Sequence, residues 1–132
     1  MSFMPGVGAG ASGPQINLLL GRGERFVILL DGDKKGKEAA KIYKETWYLP
    51  SNDVATLADI DIALDGKRLE DLLGDETLQV IKNHFQLKTR PSKKQMGLYF
   101  AEMCATNALS SCVCSETKKN ITSVIEQLAH RL

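Results

Sequence analysis

Five apolar residues in a row, Phe26–Leu30, run directly into Asp31, Gly32 and Asp33. This junction constrains the fold more than any other part of the chain. A continuous apolar run rich in strand formers reads as a strand buried on both faces, the habit of parallel sheets. Beyond the polar turn, from Lys35 to about Trp47, Ala39, Ala40, Ile42, Tyr43 and Trp47 supply an apolar side. That spacing predicts a helix, and Pro50 marks its end. Ligands of parallel α/β sheets bind outside the carboxyl ends of strands, and Asp31 and Asp33 stand at such an end.

The flanking segments extend the same pattern. Pro14 suits a first helical turn, and Ile16, Leu18, Leu19 and Leu20 predict a short helix ending near Gly21 and Gly23. Val54, Ala55 and Leu57 predict a second strand within Asp53–Ile60, and the stretch 68–85 reads as two short helices parted by Gly74. Two longer amphipathic helices are expected near 92–108 and 116–131; Ile121, Val124, Ile125, Leu128 and Leu132 recur at helical spacing in the second. Alternating strands and helices predict an α/β fold with a parallel sheet flanked by helices. The expected division is an α/β part over residues 1–90 and a helical C-terminal extension over 91–132 packed on it.

Composition removes several classes of function. The 132 residues suit one domain with one core. Seventeen Lys+Arg against sixteen Asp+Glu leave a formal charge of +1, which argues against a binder working by charge alone. No run approaches the roughly 20 apolar residues of a membrane span. MSFMPGVGAG lacks the basic and apolar regions of a signal peptide. Cys104, Cys112 and Cys114 are odd in number, which fits a reducing, cytoplasmic compartment better than a disulfide scaffold. Neither His84 nor His130 stands at zinc-ligand spacing from them, so they read as plain thiols.

The chemistry rests on FVILLDGDKKGKEAAK. Two carboxylates separated by one glycine can share a space past the strand end, and Mg²⁺ or Mn²⁺ needs only one or two of them because it keeps several waters. Gly36 lets the chain turn tightly into the following helix. An EF-hand is excluded, because its fifth and twelfth positions would be Lys35 and Ile42. A Walker A loop is excluded too, since GDKKGKE is one residue short between its glycines and ends in Glu38. The plain structural alternative is a polar turn whose Asp caps the helix and binds nothing.

The D-x-D at the end of a core strand resembles the second acidic motif of TOPRIM domains. It is most similar to those of OLD-family ATP-dependent endonucleases, in which a glycine loop and short helix precede a comparable strand, as in PGVGAGASGPQINLLLGRGERFVILLDGD. RLEDLL resembles the acidic segment that follows, with Glu70 as the matching acid, and RPSKKQMGLYFAE resembles the late lysine-bearing helix. The resemblance implies a TOPRIM/Rossmann-like sheet and Mg²⁺- or Mn²⁺-dependent phosphodiester hydrolysis. In that scheme Asp31 and Asp33 hold the metal, Glu70 serves a second metal or orients the first, and Lys93 or Lys94 offsets phosphate charge. It further implies a nucleic acid, DNA above all, as partner, with an ATPase domain or subunit; homo-oligomerisation stays open. TOPRIM domains carry a glutamate upstream of the glycine loop, whereas no glutamate precedes Glu24 here. The expectation is therefore part of a site, in a truncated piece, a split-gene subunit or a degenerate relic.

Rival readings remain at this level. Gly8, Gly10 and Gly13 satisfy G-x-G-x-x-G with Asp31 after the next strand, as in a dinucleotide-binding domain, although almost no sequence stands before the loop to form the first strand. A catalytically inactive TOPRIM-like interaction or regulatory module is the non-enzymatic alternative. Lys34, Lys35, Lys37, Lys41 and Lys44 crowd the helix after the acidic turn, either as contacts to a nucleic-acid backbone or as a solvated face.

Overall fold

The computed structural model describes Met4 and residues 12–132, so Gly8 and Gly10 of the glycine loop lie outside the described residues. The described residues form two compact units. The first runs to Leu69 and includes Val124–Leu132; the second is Glu70–Ser123.

In the first unit, α1 (Gly13–Gly21) starts on Pro14, whose fixed φ and missing N–H suit a first turn. Gly13 meets the Trp47 ring so closely that a Cβ would lie 2.9 Å from it. Strand β1 (Ile28–Leu30) leads through the acidic turn into α2 (Lys34–Thr46), and β2 (Val54–Thr56) follows. The two strands pair in parallel, Ile28 with Val54, Leu29 with Ala55 and Leu30 with Thr56. The expected parallel sheet is thus present, as two short strands among the described residues. Ala39 and Ala40 let α2 approach closely. Ile16, Tyr43, Leu49 and Val54 complete the buried core, with Phe26, Ile28, Leu30 and Trp47 packed against it.

Two expectations are corrected here. The strand foreseen over Phe26–Leu30 is shorter, and all five residues are half-buried rather than covered on both faces; β2 is the fully buried strand. Apolar composition registers affinity for burial but not the number of neighbouring strands. The second strand also stops at Thr56 instead of Ile60. Thr56 and Asp59 form a reciprocal capping box that starts the four-residue α3 (Leu57–Ile60), and a 3₁₀ turn, Ile62–Leu64, comes next.

The second unit is helical. A 3₁₀ segment, Leu69–Leu73, straddles the division, and α4 (Gly74–His84), α5 (Lys93–Ala105) and α6 (Leu109–Cys112) follow. Helix α7 (Ser115–Ala129) gives its first turns to this unit and Val124 onward to the first. Gly74 parts the two short helices as expected. It holds φ +69, and a Cβ there would lie 2.8 Å from the Glu116 carboxylate. Ser92 and Gln95 start α5 with a second capping box. Ile81, Met96 and Tyr99 form the buried centre of this unit. Among the described residues no helix is long and apolar enough to cross a membrane.

Candidate functional site

The acidic turn is shaped by two close backbone approaches. Gly32 donates its N–H to the Lys67 carbonyl at 2.7 Å and accepts from the Gly66 N–H at 3.0 Å, so the turn is clamped to the 66–67 loop. A Cβ on Gly32 would lie 2.5 Å from the Leu64 carbonyl oxygen, and one on Gly36 only 2.0 Å from that of Asp31. Real Cβ atoms do not approach oxygen so closely. Both glycines are therefore demanded by space and not by φ.

Each carboxylate already has protein partners. Asp31 Oδ1 accepts from the Leu69 N–H at 2.7 Å. Asp33 is the N-cap of α2, its Oδ1 accepting from the Gly36 N–H at 2.9 Å. The Arg68 guanidinium lies 3.5 Å from Asp33 Oδ2. The positive end of the α2 dipole adds to this neutralisation and by itself opposes a further cation. The sequence reading takes Arg68 and Leu69 only as the start of RLEDLL, leaves Lys67 out, and does not place them against the acidic turn. No spacing signal marks a loop that returns to a turn more than thirty residues earlier.

The remaining expected residues fall as follows. In the second unit, Glu70 is nearly buried and pairs with Lys93 at 3.2 Å, while Lys94 is exposed. Asp71 pairs with Arg90 there. On α2, Lys34 lies 3.9 Å from Glu38, Lys37 bonds to Asp65, and Lys35 is exposed.

Among the described residues, no group of three or more His, Cys, Asp or Glu side chains is placed to hold a metal. Asp31 and Asp33 thus fall short of a closed all-protein cage; two carboxylates are what a hard cation that keeps most of its waters would require. The chain matches no protein-family model, no curated protein and no solved structure.

Proposed function

We propose that this chain carries the metal-binding part of a TOPRIM-like, OLD-type endonuclease domain that hydrolyses nucleic-acid phosphodiesters, DNA above all, with Mg²⁺ or Mn²⁺. One observation carries the reading. Two carboxylates separated by a glycine stand at the carboxyl end of a parallel strand, in a turn whose backbone tolerates only glycine at Gly32 and Gly36. A bound divalent ion supplies polarisation of a phosphate oxygen and a water of lowered pKa. Asp31 and Asp33 hold the ion, and each keeps one oxygen on a backbone N–H that fixes its orientation. Arg68, exposed and 3.5 Å from Asp33, places a guanidinium beside the acidic turn that the ion would have to displace from that carboxylate. Glu70 and Lys93 belong to the second unit, where they pair with each other; the resemblance alone makes them candidates for second acid and phosphate-neutralising lysine. Lys94 is the alternative lysine.

Titration calorimetry with Mg²⁺ and Mn²⁺ tests this, on the parent and on Asp31→Asn/Asp33→Asn. Asparagine keeps the amide-accepting oxygen and the helix cap while removing the charge. Binding by the parent that vanishes in the double variant is expected. A folded parent that binds neither ion would refute the metal site.

A second reading, an interaction module with TOPRIM-like architecture and no catalysis, draws on the same bonds. If Leu69, Gly36 and Arg68 are the permanent partners of these acids, the turn is purely structural. Under that reading Asp31→Asn leaves all activities of the chain unchanged.

A further inference from the structure

Between α5, α6 and the first turns of α7 lies a groove of about 770 Å³, whose apolar lining is Leu73, Phe100, Leu109, Val113 and Ile121. Every residue that lines it belongs to the second unit. Leu73 and Phe100 pack against the buried Ile81, Met96 and Tyr99 and form its inner side. Leu109 and Ile121 are each more than a third exposed. A concave, mostly apolar surface of this volume with a few polar groups is the usual form of a small-molecule site.

Charge in the groove has one sign. Lys118 lines it and no carboxylate does. Among the described residues Lys118 has no acidic partner; its Nζ donates to the Ser110 carbonyl at 2.7 Å, from α7 to α6. An ammonium has three donors, so two remain for a ligand. Thr117 adds no polar group, because its hydroxyl is committed to the Leu73 carbonyl and to the Thr77 hydroxyl.

These features select the ligand. Apolar walls favour a hydrocarbon body, and one unopposed cation favours one negative charge. A phosphate monoester carries about −1.5 to −2 at neutral pH and would keep part of its charge uncompensated. A carboxylate carries one.

We infer that this groove binds a small aliphatic carboxylate, its chain against Leu73, Phe100, Leu109, Val113 and Ile121 and its head on Lys118. No residue of the acidic turn takes part, so the site stands or falls independently of the metal reading.

The test is titration calorimetry of the full chain with octanoate and decanoate, below the concentrations at which they self-associate, and with decanol as the uncharged comparison. Two added methylenes are expected to tighten carboxylate binding by on the order of tenfold. Lys118→Gln is expected to weaken decanoate about fivefold, the scale of one exposed ion pair, and to leave decanol unchanged. Lys119→Gln, the next residue but not one that lines the groove, is expected to keep the parent affinity. Ile121→Gln is expected to weaken both ligands. Cys104 also lines the groove, so bound decanoate should slow its alkylation by iodoacetamide, located by peptide mass spectrometry. Glutamine has nearly the helix propensity of lysine, and circular dichroism verifies folding of each variant. A folded parent that binds no decanoate, equal effects of Lys118→Gln on decanoate and decanol, equal losses in Lys118→Gln and Lys119→Gln, or Cys104 alkylation unchanged by saturating decanoate would overturn the site.

Discussion

The Asp31 carbonyl oxygen lies where a Cβ on Gly36 would have to be, 2.0 Å from it. Gly36→Ala must therefore move either the end of β1 or the first turn of α2. The expected loss is at least about 3 kcal/mol, the upper part of the usual range for overpacking. Gly21 meets nothing within 4 Å, so Gly21→Ala is expected to be neutral or stabilising by up to ~1 kcal/mol. Urea unfolding of both variants checks the contrast. Equal effects would show that the close approach at Gly36 does not exist.

Asp33 serves two roles that one residue change can separate. As N-cap of α2 it accepts from Gly36 at 2.9 Å, so Asp33→Ala is expected to cost about 1 kcal/mol. Asp33→Asn retains a capping oxygen and should cost less than half of that in denaturant unfolding, while removing half of the proposed ion's carboxylate ligands. If Asn and Ala destabilise alike, the cap is not what Asp33 contributes to stability.

Local signals were readable in the sequence and returning loops were not. The strand, acidic turn and helix at 26–47 follow from apolar runs and breakers, all within a few residues of one another. The end of β2 was readable too, because Thr56 and Asp59 have capping spacing before an apolar residue; the apolar run through Leu57 concealed it. In contrast, nothing in RLEDLL distinguishes Arg68, which faces Asp33, from an ordinary surface arginine. The acid and lysine chosen from the late segments, Glu70 and Lys93, bond to one another. Resemblance identifies residue types but does not reveal which pairs a fold brings together.

Acid should weaken the start of α3 through Asp59. Burial pushes its carboxyl up, but the Thr56 N–H and hydroxyl, then Lys44 and Arg131, outweigh that and leave it below the ordinary aspartate value. A depressed folded pKa means that the ionised form stabilises the fold above the unfolded value, near pH 4. That contribution is lost as pH falls through the folded value. Stability differences between the parent and Asp59→Asn are therefore expected to be constant from pH 7 to about 5 and to shrink below about 4. A difference that grows on acidification contradicts the sign.

In the second unit, the last relationship to test is between Cys114 and two buried threonines. The Thr117 and Thr77 hydroxyls lie 3.1 and 3.0 Å from its Sγ. These side chains, Thr117 first, hold the thiol below its usual range against a smaller upward push from burial. A lowered thiol pKa increases the thiolate fraction near neutral pH, and the thiolate is the nucleophile. With Cys104 and Cys112 changed to Ser, the rate of iodoacetamide alkylation at Cys114 is expected to rise at lower pH than for an ordinary free cysteine. Thr117→Val removes the largest contribution and should move the profile upward, provided thermal unfolding shows the variant folded. A profile that stays in place after Thr117→Val would assign the reactivity of Cys114 to exposure instead of to these hydroxyls.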